Sequence, residues 1–222
     1  MPPRRVSQPI NIGKVTVGGN APIVVQSMTK TDTRDIRATI NQIKELEEYG
    51  CELIRVAVPD AEAAKALAAI KKGIIIPLIA DIHFDYRLAL AVLKAGCDGL
   101  RINPGNIGEP ERVKAVVLAA KERQVPIRIG VNAGSLPKTA NPELAIPQRM
   151  VAAAMEQVKL LESLDFNLMK VSLKAFDVPT TIEAYLDIAQ KIPYPLHIGI
   201  TEAGTPRAGI IRSAAGIGTL LY

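Results

Sequence analysis

Short runs of Ile, Val and Leu alternate along this chain with longer segments whose apolar residues recur every three or four positions. The short runs read as strands: Ile23–Met28, Glu52–Val58, Pro77–His83, Gly99–Asn103, Pro126–Asn132, Leu168–Lys174 and Leu196–Thr201. The segments between them read as amphipathic helices over Asp35–Tyr49, Asp60–Lys72, Asp85–Ala95, Glu111–Arg123, Gln148–Leu164, Thr180–Lys191 and Thr205–Leu221. In the first helix Ile36, Ile40, Ile43 and Leu46 share a face, with Thr33 or Asp32 as the expected cap. The second and third begin beside an Asp and stop at Gly73 and Gly96, and Pro110 suits the opening turn of the fourth. Near-continuous apolar strands alternating with helices predict an α/β fold, a parallel sheet covered by helices.

An internal echo narrows the architecture. Gly50-Cys51-Glu52-Leu53-Ile54-Arg55 resembles Gly96-Cys97-Asp98-Gly99-Leu100-Arg101, each following a helix and leading to an Arg at the same place in its strand. Repeated strand–helix units favour a TIM-type (β/α) barrel over a doubly wound sheet, and neither a GxGxxG after the first strand nor a P-loop is present. Seven strand–helix units are visible, whereas a closed barrel has eight strands. The eighth strand is therefore expected to be missing from this chain, which would leave sheet edges open. The segment INIGKVTV at 10–17, followed by Gly18-Gly19-Asn20, predicts a short hairpin able to plug the barrel floor. The expected division is an N-terminal extension over 1–22 and a barrel over 23–222.

Charges then appear where the pattern predicts burial. ELIRVAV, GLRINPGN and PIRIGVNAG each carry one cation, Arg55, Arg101 and Arg128, and apart from Glu52 at the entrance of the first no carboxylate stands in these runs. A buried charge costs several kcal/mol unless paired. Three on separate strands suggest one shared anion, and guanidinium forks suit phosphate oxygens. Because side chains alternate with period two, Arg128 shares a face with Gly130 and Asn132, Arg101 with Asn103, Asp81 with His83, and Ser172 with Lys174. The polar parity can line the barrel interior and converge on the mouth at the C-terminal strand ends, where such barrels place their active sites.

Other readings of these residues remain open at this level. Arg55 and Arg101 could pair with Asp81 or Glu202 as a structural network. Asp81 and His83 could be a metal pair, although two ligands do not define a site. Lys174 could form a Schiff base, but a phosphate-binding cation is simpler beside three arginines. Asn103-Pro104-Gly105-Asn106 could be only a turn. Glu202, in HIGITEAG, could act as a base or an orienting group, while His197 reads as buried structure.

Composition bounds the rest. The 222 residues are 48% hydrophobic and 4% aromatic, with no Trp, and 27 Lys+Arg against 22 Asp+Glu give a net charge of +5. That balance fits a solvated surface; no basic cluster interleaved with aromatics points to nucleic acid. No apolar run approaches a membrane span and MPPRRVSQPI is not a secretory signal, so a cytoplasmic location with no membrane is expected. Cys51 and Cys97 cannot build a disulfide framework or a four-ligand metal site by themselves.

VVQSMTKTDT, GCELIRVAV, ADIHFDYRLAL, GLRINPGNIG, PIRIGVNAGSL, MKVSLKAF and GITEAGTP, in this order over nearly the whole chain, together resemble the 4-hydroxy-3-methylbut-2-enyl diphosphate synthase family of non-mevalonate isoprenoid biosynthesis. The resemblance implies a substrate, 2-C-methyl-D-erythritol 2,4-cyclodiphosphate, opened and dehydroxylated by two-electron reduction. It implies that Arg55, Arg101, Arg128 and Lys174 hold the diphosphate, with Asn132, Asp81 and His83 near the substrate or its mouth; strand parity adds Asn103 and Ser172 as expected substrate contacts. Glu202 would sit nearest the reacting carbon. It further implies a homodimer, ferredoxin or flavodoxin as electron donor, and a [4Fe–4S] cluster held by three cysteines and a glutamate of a C-terminal domain. No Cys follows Cys97, so that domain is expected to be absent here, and this chain alone is expected to bind substrate without reducing it. A pterin-binding synthase on a similar barrel and a non-catalytic truncated homologue are the competing readings.

Overall fold

The computed structural model describes residues 4–102, 107, 109–136 and 141–222. Strands β1 (Ile10–Ile12) and β2 (Val15–Val17) form an antiparallel hairpin, with Ile12 opposite Val15. Six parallel strands follow in sequence order across one sheet: β3 (Gln26–Met28), β4 (Leu53–Ala57), β5 (Leu78–Asp81), β6 (Gly99–Ile102), β7 (Ile127–Asn132) and β8 (Met169–Lys174). The connecting helices are α1 (Ile36–Glu48), α2 (Ala61–Lys72), α3 (Tyr86–Lys94), α4 (Pro110–Glu122), α5 (Ile146–Ser163) and α6 (Val178–Lys191), and α7 (Pro206–Leu221) closes the chain.

The two faces of the sheet carry different chemistry. Ile54, Val56, Ala80, Leu100, Ile127, Ile129, Val171 and Leu173 lie in one large buried cluster with the apolar faces of the helices. Burial of each Ile, Val or Leu among them contributes roughly 1.5–3 kcal/mol, which holds the helices on the outside. On the inner face Leu53 and Ile79 pack against Ile12 of the hairpin, with Val15, Val17 and Val24 around them. The hairpin thus covers the floor, below the mouth formed by the strand ends. The N-terminal arm ties down the same end: Arg5 donates to the carbonyls of Ile192 and Tyr194, both at 2.6 Å.

One side-chain contact shows how strongly the sheet curls. Strands β3 and β8 are the first and the last of the six. In a flat sheet they would stand roughly 24 Å apart, at about 4.8 Å per strand. Lys170 Nζ on β8 nevertheless donates to Gln26 Oε1 on β3 at 3.2 Å. Only a sheet rolled towards closure brings those side chains together.

The local signals account for most boundaries. Asp60, Asp85 and Asp177 each accept a backbone N–H of the first turn of α2, α3 and α6. Gly50 and Gly96, the matched glycines of the internal echo, both have positive φ, +85° and +89°, and the cysteine after each is buried. That backbone conformation favours glycine in the turn from helix to strand.

Three expectations need correction. The cap of α1 is Asp35, whose side chain accepts from Ala38 N; Thr33 instead donates to the Ala57 carbonyl, and Asp32 pairs with Arg34. Strand β3 starts at Gln26 rather than Ile23, because the Val25 N–H is taken by the Glu52 carboxylate. Leu196–Thr201 is not a full strand but a single parallel bridge, Val171 to Leu196. Pro193 and Pro195, just before it, have no N–H groups to extend the pairing upstream. Further along, the Tyr185 hydroxyl wedges into the ladder, accepting from Leu173 N at 3.1 Å and donating to the His197 carbonyl at 2.5 Å.

Candidate active site

Register puts the charged residues at one height. Asp81 on β5 is level with Arg101 on β6, Arg101 with Arg128 on β7, and Arg128 with Lys170 on β8. In-register partners on parallel strands are neighbours on the same face, so one carboxylate and three cations form a row across four strands. Arg55 on β4 lies level with Met28 and Ile79. Nearer the mouth, Ser172 is level with Gly130, and Lys174 with Asn132.

Asp81 supplies the shared counter-charge. It is 4% exposed, and its oxygens lie 3.2 Å from Arg101 Nη1, 3.7 Å from Arg55 Nε and 3.4 Å from His83 Nε2. The structural pairing of Arg55 and Arg101 with Asp81 is therefore present, and Arg55 also donates to Met28 Sδ. Glu202 forms no ion pair with either arginine among the described residues. One carboxylate does not balance the row. Arg128 is 3% exposed, and its Nε and Nη1, like Arg101 Nε, have no hydrogen-bond partner among the described residues. Each unmet buried donor costs about 1–3 kcal/mol, more when charged.

The electrostatic consequence is a set of cations held out of their ordinary ranges. Arg128 is pushed down to about 9, first by burial and then by Arg55 and Arg101. Lys174 is pushed down to about 7 by burial, then by Arg128, Arg55 and Arg101. Burial also lowers Arg55, partly offset by Asp81, and lowers His197 well below its usual value, with Arg128 and Lys174 adding to it. These are interior sites that an anion would relieve.

Glycines make room for the cations. A Cβ on Gly130 would stand 2.9 Å from Arg101 Nε, and one on Gly199 would stand 3.0 Å from Lys174 Nζ. Glu202 occupies an exposed turn with φ +51°, and its Oε1 lies 3.5 Å from where a Cβ on Gly134 would be. That places it beside the end of β7. Ser172 is buried and donates to the Ile129 carbonyl. His83 is exposed at the rim, edge-on to Phe84. Asn103 lies outside the described residues. A surface groove of about 560 Å³ between α5 and α6, lined by Pro147, Val151, Met155 and Glu183 among others, contains none of these residues.

Lys170 is the site residue that the sequence reading passed over. Its signal was available: in KVSLK it has the same parity as Ser172 and Lys174. Gln26 and Met28, which touch the cations from β3, had no charge to draw attention.

A model of the GcpE TIM-barrel domain matches residues 7–222. The chain belongs to the GcpE TIM-barrel domain family. This GcpE barrel is 71% identical over 219 residues to a 4-hydroxy-3-methylbut-2-en-1-yl diphosphate synthase (flavodoxin) of Dehalococcoides mccartyi, covering 99% of this chain and 63% of that protein. It is 58% identical over 220 residues to the protein of the same name from Thermodesulfovibrio yellowstonii, covering 98% and 63%. The GcpE barrel thus spans less than two thirds of the length of these curated relatives. Its fold is shared more widely. Yersinia pestis dihydropteroate synthase superposes with a TM-score of 0.68 at 10% identity, over 93% of this chain and 85% of that one. Geobacillus kaustophilus 3-dehydroquinate dehydratase gives 0.64 at 17%, over 96% and 85%. At such identities the likeness concerns the fold alone. No helix among the described residues is long and apolar enough to cross a membrane.

Proposed function

We propose that this chain is the substrate-binding barrel of a 4-hydroxy-3-methylbut-2-enyl diphosphate synthase, and that its interior cations hold 2-C-methyl-D-erythritol 2,4-cyclodiphosphate. The observation that carries this reading is Arg128, a buried guanidinium with two nitrogens that have no partner among the described residues, in a row of cations where Asp81 is the one carboxylate among the described residues. A diphosphate supplies the missing charge and the missing acceptors together. The names of the relatives point to the same class of ligand.

In this reading Arg55, Arg101, Arg128 and Lys174 bind the diphosphate. Asp81 keeps Arg55 and Arg101 aimed, and His83, Asn132 and Ser172 line the way to the mouth. Glu202 stands over the reacting carbon and either donates a proton to the departing hydroxyl or orients it. The ring C–O bond opens and a hydroxyl leaves as water, so two electrons and two protons enter. The electrons come from flavodoxin or ferredoxin, and a homodimer is part of the same reading.

A [4Fe–4S] cluster would supply those electrons in the whole protein. The cysteines of this chain do not fit it. Cys51 and Cys97 are both buried, and burial pushes the Cys97 thiol up to about 12, whereas a cluster takes thiolates.

Calorimetric titration of the protein with the cyclodiphosphate and, separately, with a pterin diphosphate tests the proposal. Binding of the cyclodiphosphate, weakened as salt rises, is the expected result. Binding of the pterin ligand alone would refute it in favour of a pterin synthase, and binding of neither would favour a non-catalytic homologue.

A further inference from the structure

Lys170 is 4% exposed and faces the barrel interior from the base of β8. Its described hydrogen bond runs across the interior to Gln26 Oε1 at 3.2 Å, a neutral acceptor. The charges that disfavour its ammonium are Arg128 from β7, Lys174 from its own strand and Arg55 from β4. His197, on the segment bridged to β8, is pushed down partly by Lys170 in turn. The nearby carboxylate, Asp81, is already engaged with Arg55, Arg101 and His83. A diphosphate seated on Arg128 would be the first anion to reach this end of the row, because Lys170 is level with Arg128.

We propose that Lys170 is a positioning residue of the anion site, one that takes up a proton when a diphosphate enters and thereby supplies the charge beneath Arg128. This rests on the anion-site reading above. The geometry makes the device workable. The Gln26 amide can accept from an ammonium or from a neutral amine, so the side chain stays in place in either state. A charged lysine there without a ligand would face three cations in a desolvated interior. Burial first and then Arg128, Lys174 and Arg55 hold Lys170 at about 7, so its proton is loosely held near neutrality until an anion arrives. The proton comes from solvent or buffer, and no bond other than N–H forms. Binding and protonation then favour each other by equal free energies.

The test uses inorganic pyrophosphate and calorimetry in buffers of different ionisation enthalpy, which reads protons taken up per ligand bound. Wild-type protein is expected to take up protons at pH near 7.5, with Lys170 and Lys174 both contributing. K170R, charged at every pH used, should still bind but take up fewer protons, and K170M should bind more weakly and also take up fewer. The affinity of wild type relative to K170R should fall roughly tenfold between about pH 6.5 and about pH 8.5, the ligand's own ionisation cancelling in the ratio. Lysine Nζ resonances of the unaltered protein give a reading that does not depend on variant folding. The Lys170 signal should titrate near neutrality without ligand and stay protonated with it. Pyrophosphate binding with unchanged proton uptake in K170R, or a Lys170 signal indifferent to ligand, would overturn the inference and leave the anion site standing. No binding of pyrophosphate to wild type would overturn both.

Discussion

Arg101 and Arg128 stand directly level on neighbouring parallel strands, β6 and β7. Asp81 lies on the far side of Arg101, level with it on β5, and on the far side of Arg128 the next residue in the row is Lys170. Like charges placed opposite each other weaken a sheet, and here burial removes the water that would screen them. The pair is therefore a local cost in the ligand-free fold, and it makes sense where an anion is the third member.

Replacing Arg128 separates folding from binding. R128M removes a desolvated charge with two unmet donors and leaves an apolar side chain in its place. The ligand-free protein should gain about 1–3 kcal/mol against urea, while affinity for the cyclodiphosphate falls at least about a hundredfold, the scale of losing a charge-assisted bidentate contact. Urea unfolding with and without ligand measures both.

Stability should also depend on pH in a defined direction. Lys170 and Lys174 are each lowered from an ordinary value of 10.5 to about 7 in the fold. Between those limits the unfolded chain binds more protons than the folded one, so stability rises with pH. The penalty is fully present below about pH 7 and is relieved as pH climbs towards 10.5. Melting temperature without ligand should accordingly increase from pH 7 into the alkaline range. Saturating pyrophosphate should flatten that increase. A melting temperature that falls steadily over the same range would show that the lysines are charged and satisfied without an anion.

Gly130 tests the packing of the site without touching a charge. An added Cβ would meet Arg101 Nε at 2.9 Å, and a flexible guanidinium can move aside. G130A should therefore change stability by less than about 1.5 kcal/mol. It should weaken diphosphate binding roughly tenfold, because Arg101 is displaced towards Arg128 or away from Asp81. Equal binding by wild type and G130A in calorimetry would mean that Arg101 does not touch the ligand.

Period and parity carried much of this architecture in the sequence. The apolar parity of IRIGVN and KVSLK packs against helices and the polar parity faces inward, and the Gly-Cys echo marks two equivalent helix-to-strand turns. What failed had non-local causes. The Tyr185 hydroxyl entering the ladder between Leu173 and His197 depends on a helix residue whose position no strand pattern encodes. The shortened β3 depends on Glu52 reaching the Val25 N–H from the adjoining strand. Within the site, the arginines were legible as charges in apolar runs. Their sharing of Asp81 was not, because it depends on strand order and register. Lys170 was legible by parity but sits at the strand's base, away from the end where attention falls.

The central claim is that the buried cations await a diphosphate, and a crystal structure of the protein with 2-C-methyl-D-erythritol 2,4-cyclodiphosphate tests it most directly. Phosphate oxygens within hydrogen-bond distance of Arg128 Nε and Nη1, the two nitrogens that lack partners in the described structure, are the predicted result. A ligand bound elsewhere, with those nitrogens still unpartnered, would contradict the account.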